Sequence, residues 1–320
     1  MNGVLIIDKS SGPTSHDVVH QARRILGQRS VGHLGTLDPM ATGVLPLVIG
    51  SFTRLAQFYL SSGKTYEGTI RFGFSTDTYD AEGEPTSAPS TPALSREEVE
   101  SAAGKFRGLI SQTPPPFSAK KIKGVPAYKL ARKQQEVRLD PVQIEIKEFE
   151  ILSLEADRAA FRARVGSGTY MRSVAHDMGQ ALGCGAHLES LRRTSVAEFT
   201  LAEAHTLEEI QSARPESQQR SDCHPDRSFA FPKGKGIEVE GPCVLPEAFF
   251  IHPRKLLPAF PSVTADEIAT AHIRSGRTVN LPELSRARQV KVFSGQRDLI
   301  AIATRVAGTL FHPKIVLCSS

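Results

Sequence analysis

The residues best suited to chemistry lie in one short stretch, residues 30–47, which reads SVGHLGTLDPMATGVLPL. It contains an imidazole, His33, and a carboxylate, Asp38, with glycines around them. Asp38 is followed directly by Pro39. Glycine allows positive φ and close backbone approach, and proline pushes the residue before it towards extended geometry. The stretch is therefore predicted to be a stiff loop that holds one carboxylate for nucleophilic or acid–base work, although an ordinary turn has the same pattern.

A second stretch, residues 113–139, is strongly basic and opens with consecutive prolines. Clustered positive charge supplies affinity for phosphates through counterion release, and aromatic rings can stack on unpaired bases. The stretch is therefore a candidate nucleic-acid contact, and the alternative is a solvated charged face. The residues selected as RNA contacts are Lys120, Lys121, Lys123, Tyr128, Lys129 and Arg132.

The composition is that of a globular protein with one large domain and a smaller one: 320 residues, 40% apolar and 23% charged. The formal net charge of +5 favours a polyanionic partner without proving one. The first apolar run stops at Asp8 and Lys9, so a strand is expected there rather than a signal peptide. No apolar stretch is long enough to suggest a membrane span.

The metal-binding signals in the sequence are weak. Asp77 and Asp80 hint at calcium but lack most of the ligands of a calcium loop, so a capped turn is expected. Cys223 beside His224 is at most half a zinc site. Free thiols in a reducing cytosol are the preferred interpretation of the four cysteines, which are Cys184, Cys223, Cys243 and Cys318.

Apolar periodicity predicts mixed secondary structure up to residue 212. The predicted strands are residues 3–7, 44–49, 64–72, 142–154, 160–165 and a segment through 191–193. The predicted helices are residues 15–26 after Thr14, 51–58 from Ser51, 96–106 after a capping box at Ser95, a helix capped by Thr169, and 207–212. Residues 213–246 are predicted to be a linker or insertion, and residues 249–317 a small, mostly β domain with one helix near 265–275.

Two further side chains have positions that suggest a site. Arg172 falls in the first turn of the helix predicted after Thr169, where a cation opposes the helix dipole, so an anionic partner is expected. Tyr66 shares one face of its strand with Gly68, Ile70 and Phe72. An arginine that merely points into solvent is the alternative for Arg172.

Several stretches, taken together and in order, resemble the TruB family of tRNA pseudouridine synthases, which isomerise the T-loop uridine of tRNA at position 55. The matching runs are GVLIIDKSSGPTSHDVV, VGHLGTLDPMATGVLPL, KTYEGTIRFGFSTDTYDAEG, TPPPFSAKKIKGVPAYKLAR and GTYMRSVAHDMGQALGCGAHLESLRR, followed by a segment similar to a PUA domain. The resemblance implies an α+β fold with a mixed, largely antiparallel central sheet and flanking helices. It implies a catalytic domain over residues 1–212 with an RNA-clasping insertion at 113–139, and a PUA-like RNA-binding domain over 247–320.

The resemblance also assigns roles to individual residues. Asp38 would be the catalytic aspartate, Arg172 the arginine paired with it, and Asp80 the second acid of that network. Tyr66 would stack on the target base, Leu191 would line the uracil pocket, and His33 would help to hold the flipped nucleotide. It further implies the tRNA T-arm as partner, no cofactor or metal, no obligatory protein partner, a monomer, and a cytoplasmic location.

Two residues depart from the family pattern. Ser10 stands where proline usually follows Asp-Lys, which affects the stiffness of a turn. Ser167 stands where a lysine usually precedes Gly-Thr-Tyr, which weakens a phosphate contact near the site. Three alternatives remain open at this point: a tRNA-binding folding factor without catalysis, an enzyme guided by a separate RNA, and a metalloenzyme.

Overall fold

A computed structural model of the protein describes residues 1–118, 120–122, 124–133, 135, 137–213 and 245–317. The strands are β1 (Gly3–Lys9), β2 (Val31–His33), β3 (Thr42–Ile49), β4 (Lys64–Phe72), β5 (Gly108–Gln112), β6 (Lys121–Ile122), β7 (Val125–Pro126), β8 (Val142–Glu155), β9 (Arg158–Val165), β10 (Ala186–Val196), β11 (Phe199–Thr200), β12 (Ala204–His205), β13 (Ser262–Ala265), β14 (Val279–Asn280), β15 (Gln289–Ser294), β16 (Asp298–Ala307) and β17 (Leu310–Val316). The helices are α1 (Ser15–Leu26), α2 (Arg96–Gly104), α3 (Ala127–Ala131), α4 (Met171–Ala181), α5 (Leu207–Ser212) and α6 (Glu267–Arg274), and a 3₁₀ helix spans Gly50–Phe58.

A mixed sheet forms the centre of the larger body. Its order is β12-β1-β3-β10-β4-β9-β8-β5, with β2 added to β3 and β11 to β10. The β1–β12 and β3–β10 pairings are parallel, and the other pairings in this sheet are antiparallel. The expected α+β class with a largely antiparallel central sheet is confirmed.

Helices cover one face of this sheet because each presents an apolar stripe to it. Val18 of α1, Val99 of α2, Val174 of α4 and Ile210 of α5 belong to a single buried cluster with the strands. On the other face, towards β8, arginines and glutamates pair across neighbouring strands, as Arg162 does with Glu67 at 2.9 Å. Alternation along the strands therefore sends apolar side chains under the helices and charged ones to solvent.

A second sheet, ordered β13-β15-β16-β17-β14, packs on the opposite face of β1 and β3. Ile6 and Val48 share a buried cluster with Phe293 and Ile302 of this sheet. This second sheet and its helix α6 lie within residues 262–316, where a small, mostly β unit with one helix is predicted. A linker or insertion is predicted at 213–246. Residues 214–244 of it lie outside the described part of the chain.

Two predicted helix caps are wrong. Ser51 lies inside a 3₁₀ helix that begins at Gly50 without a side-chain cap, and its hydroxyl is buried without a hydrogen-bond partner among the described residues. The helix of the candidate site begins at Met171 after Tyr170, and the Thr169 hydroxyl does not cap it. The Gln112 side chain accepts from the Tyr170 N–H at 2.9 Å and fixes that turn from another strand. The caps at Thr14 and Ser95 are confirmed.

Gly43, at the start of β3, is a position where glycine is required. Its φ is 99°, and a Cβ added there would overlap the backbone carbonyl of Arg193 on the adjacent strand. We expect Gly43→Ala to lower the free energy of unfolding in urea by at least about 2 kcal/mol, because both backbone strain and overlap are incurred. Gly27→Ala is the control: φ there is 59° with nothing within 4 Å of the added atom. A loss of about 1 kcal/mol is expected for this control, and equal losses for the two variants would contradict the account.

Candidate active site

The loop that carries Asp38 connects β2 to β3, and hydrogen bonds from buried side chains fix its backbone. Lys9, at the end of β1, is 1% exposed and donates to the carbonyls of Pro39 at 2.9 Å and Ala41 at 2.7 Å. The Ser15 hydroxyl accepts from the Leu37 N–H at 2.7 Å. Because its backbone is fixed on both sides of Asp38, the loop holds the carboxylate in one place, as its composition predicts.

Asp38 makes a two-pronged ion pair with Arg172. The guanidinium Nε lies 2.9 Å from Oδ2 and Nη2 lies 3.1 Å from Oδ1. The Arg172 side chain is 5% exposed, whereas that of Asp38 is 33% exposed. The arrangement is a buried cation that orients a carboxylate whose outer side is open to a ligand.

Arg172 also joins the loop of Asp38 to two other segments. It donates to the carbonyl of Thr78 at 3.0 Å and to that of Phe117 at 3.1 Å, and it lies 3.5 Å from Oδ2 of Asp80. Asp80 is 4% exposed and accepts from the Glu82 N–H at 3.1 Å. The anionic partner expected for a cation in the first turn of α4 is therefore present as two carboxylates.

Tyr66 and Leu191 lie on the neighbouring strands β4 and β10, and each is nearly buried. Burial raises the pKa of the Tyr66 hydroxyl, and the nearby Arg193 guanidinium opposes that shift. In the β10–β4 pairing Tyr66 lies opposite Arg193, whose guanidinium donates to the carbonyls of Thr36 and Gly35 in the Asp38 loop. Tyr66 and Leu191 belong to the same buried cluster as Leu37, the residue that precedes Asp38.

His33 is half-buried at the end of β2. Its Nδ1 accepts from the Gly35 N–H at 3.2 Å. Burial lowers the pKa of His33, and the positive charge of Arg193 lowers it further. The ring is therefore neutral at pH 7 with Nε2–H as its donor, a tautomer assigned from the hydrogen bond.

The basic segment begins at the site and extends away from it. The Ser173 hydroxyl donates to the Thr113 carbonyl at 2.8 Å, which fixes the base of the segment to α4. A short hairpin of β6 and β7 leads into α3, and Arg132 lies over the Tyr128 ring at 5.7 Å from its centroid. Of the selected RNA contacts, Lys123 lies outside the described residues, and the exposed cations are Lys120, Lys121, Lys129 and Arg132.

Three residues of the site were not singled out from the sequence: Lys9, Tyr170 and Arg193. Burial lowers the pKa of Lys9 to about 8 against the opposing effect of Asp38, and burial raises the pKa of Tyr170, on which Asp38 also acts. Lys9 lies two residues after Ile7 on the core face of β1. A charged residue on an apolar face was the available signal for it.

The metal-binding hypotheses find no support among the described residues, where no group of three or more His, Cys, Asp or Glu side chains could hold an ion. Asp77 accepts from the Glu84 N–H at 2.9 Å, which is the predicted capped turn. Cys184 is a free thiol. The cysteines at 223, 243 and 318 and the histidine at 224 lie outside the described residues. None of the described helices is long and apolar enough to cross a membrane.

Solved structures share this fold. A chain in the structure of an H/ACA RNP bound to a substrate RNA containing 2'-deoxyuridine superposes with a TM-score of 0.67 at 23% identity, over 99% of this chain and 85% of the other. A chain in a Cbf5-Nop10-Gar1 complex gives 0.67 at 24% identity over the same shares. At these identities the likeness concerns the fold alone.

Sequence comparison identifies the family. The model described as TruB family pseudouridylate synthase (N terminal domain) matches residues 23–171, and that of the tRNA pseudouridylate synthase B C-terminal domain matches 172–224. The tRNA pseudouridine synthase B of Solibacter usitatus is 48% identical over 99% of this chain and 100% of the relative. That of Aquifex aeolicus is 46% identical over 68% of this chain and 76% of the relative. The chain therefore belongs to the TruB family of pseudouridylate synthases.

Proposed function

We propose that this chain isomerises the T-loop uridine of tRNA, at position 55, to pseudouridine, with Asp38 as the catalytic residue. The observation that carries the proposal is the Asp38 carboxylate, one side of which is paired with the buried Arg172 while the other is open. Binding RNA requires no such group, because a carboxylate near phosphate weakens affinity. A catalytic role accounts for its presence.

The reaction conserves atoms and needs no cofactor in principle. The N1–C1′ bond breaks, the uracil turns, and a C5–C1′ bond forms. The C5–H bond then gives up its proton, its electron pair restores C5=C6, and N1 takes a proton from solvent. Asp38 either attacks sugar or base covalently or acts as a base, and its two hydrogen bonds from Arg172 hold the carboxylate in position for either role.

The neighbouring side chains have roles that match their positions. The Tyr66 ring stacks on the uracil, Leu191 packs on its edge, and the Tyr66 hydroxyl moves the C5 proton. Asp80 holds Arg172 from the side away from Asp38. His33 donates from Nε2 to the flipped nucleotide. Extruding a base from a folded loop costs roughly a few kcal/mol, which contacts from His33 and the basic segment offset.

Cations of the basic segment supply affinity rather than chemistry. We expect a Lys120→Ala, Lys121→Ala, Lys129→Ala triple variant to bind a T-arm RNA roughly tenfold or more weakly and to lower the slope of log K against log salt by about one for each phosphate that is no longer neutralised. Conversion at saturating protein should stay within about threefold of wild type. Affinity is measured by filter binding across a salt series, and conversion by single-turnover tritium release.

The control for that variant removes two exposed lysines outside the segment, Lys105 and Lys147. Their replacement by alanine should change affinity less than about threefold. An equal loss of affinity from both sets would mean that net charge, rather than the segment, determines binding.

The experiment that tests the proposal maps the modified base. An unmodified tRNA transcript is incubated with purified protein in a chelator, and pseudouridine is located by carbodiimide labelling and reverse transcription. One stop at position 55 is expected, and none in a transcript with cytidine there. Tight binding without a stop would favour the folding-factor alternative, and a stop only after adding a second RNA would favour guided catalysis.

The cellular setting follows from the same substrate. We propose that the chain works on tRNA in the cytoplasm as a monomer, with no obligatory protein partner. Residues 247–320, as a PUA-like domain, would contact the acceptor end of the tRNA arm. The catalytic unit is then residues 1–212, with the clasping insertion at 113–139.

A further inference from the structure

We propose that Arg193 is a positioning residue for Tyr66, holding its hydroxyl oriented for the proton transfer at C5. This inference rests on the proposed function. Arg193 lies directly opposite Tyr66 in the β10–β4 pairing and is 0% exposed. Cross-strand partners project to the same face of a sheet, so the two buried side chains are neighbours, and the charge and hydrogen bonding of Arg193 lower the pKa of the Tyr66 hydroxyl.

Hydrogen bonds to three backbone carbonyls fix the Arg193 guanidinium. Nε donates to the Val44 carbonyl at 2.8 Å, Nη1 to that of Thr36 at 3.2 Å, and Nη2 to that of Gly35 at 3.0 Å. These three carbonyls come from the two sides of the loop that carries Asp38. One guanidinium therefore sets the relative position of the Asp38 loop and the Tyr66 hydroxyl.

The three hydrogen-bond partners of Arg193 are neutral carbonyls, and the Asp38 carboxylate acts on it through its charge alone. Burying a cation among neutral groups costs free energy, and carbonyl dipoles recover only part of it. A neutral side chain of similar size would fill the same space, so a role for the charge itself is expected. The charge of Arg193 acts on the hydroxyl of Tyr66, its partner across the strand pair.

A guanidinium that donates to a phenol oxygen has two effects. It occupies one lone pair, so the hydroxyl proton must point elsewhere, and it stabilises the phenolate over the phenol. Burial raises the pKa of Tyr66, and Arg193 lowers it. When C5–H breaks, the proton passes to the Tyr66 oxygen and the electron pair enters C5=C6. The proton that leaves the hydroxyl goes to solvent, from which N1 takes one.

The first test measures, without RNA, how Arg193 affects the ionisation of Tyr66. Protein labelled with difluorotyrosine is titrated by fluorine NMR, with the Tyr66 signal assigned from a Tyr66→Phe variant. In Arg193→Gln the ionisation constant of Tyr66 should fall tenfold or more, with a smaller fall in Arg193→Lys, which keeps the positive charge. An unchanged constant in both variants overturns the proposal, and chemical denaturation shows that each variant is folded.

The second test examines proton removal from C5 of the uracil. Arg193→Lys should convert T-arm RNA 10- to 100-fold more slowly at unchanged affinity and show a larger deuterium isotope effect at C5, because proton removal becomes rate-limiting. A slower rate without an isotope effect would mean that Arg193 acts only on structure, and overturns the proposal. Arg192→Lys is the matched control, since Arg192 points to the other face and pairs with Asp8 at 2.7 Å. Wild-type protein that converts no RNA would overturn the proposed function, while the NMR result would still decide the coupling.

Discussion

Asp38→Asn is expected to abolish pseudouridine formation, with a loss of roughly 10³-fold or more in the single-turnover rate, while T-arm affinity stays within about threefold. The substitution preserves shape and leaves an oxygen to accept from Arg172, so the pinned loop should survive. Only the negative charge and its reactivity are removed. Tritium release from C5-labelled uridine measures the rate, and filter binding measures the affinity.

Asp8→Asn is the matched control for this variant. The Asp8 carboxylate is 30% exposed and pairs with Arg192, whereas that of Asp38 is 33% exposed and pairs with Arg172. The control should retain activity within about threefold. Wild-type rates in Asp38→Asn would show that the carboxylate is not the reacting group.

Arg172 substitutions are expected to have the second largest effect. Arg172→Met leaves Asp38 and the buried Asp80 without their shared cation, so the free energy of unfolding should fall by about 2–4 kcal/mol. This figure is below that for a fully buried pair because Asp38 is 33% exposed. Arg172→Lys keeps the charge, but an ammonium group cannot form the bidentate hydrogen bonds to Asp38 and also donate to the carbonyls of Thr78 and Phe117. Conversion should therefore fall by roughly 10²-fold.

Urea unfolding and single-turnover conversion separate these two effects. Arg164→Lys is the control, because its pair with Glu148 lies on the solvent face with 53% and 61% of the two side chains exposed. That change should cost less than about 0.5 kcal/mol and leave the rate unaltered. An Arg172→Lys enzyme with the wild-type rate would remove Arg172 from the mechanism.

The parts of the site that sequence predicts well are those determined by local chemistry. The glycines and Pro39 around Asp38 predict a rigid loop, and the capping boxes at Thr14 and Ser95 predict two helix starts. The position of Arg172 in a first turn predicts an anionic partner. Each depends on residues close together in the chain, where backbone preference and hydrogen bonding act directly.

The parts that sequence does not predict depend on contacts between distant segments. In the sequence, nothing distinguishes Arg193 from other strand residues. Its role becomes visible only from its contacts with β4 and with the Asp38 loop. Lys9 looked like the end of an apolar run, yet it is 1% exposed and holds carbonyls 30 and 32 residues away. Thr169 was predicted to cap α4, but Gln112 fixes that turn from β5. A local capping preference does not predict the structure where a side chain from a distant segment already hydrogen-bonds the same backbone groups.

Turnover of a minimal substrate by this chain alone tests the central claim most directly. A T-arm RNA labelled at C5 of its uridines is mixed with excess purified protein in a chelator, with no second RNA and no second protein. We expect tritium release equal to one uridine per RNA, at a rate set by the bound complex. RNA that is fully bound by filter assay yet releases no tritium would contradict the proposed function.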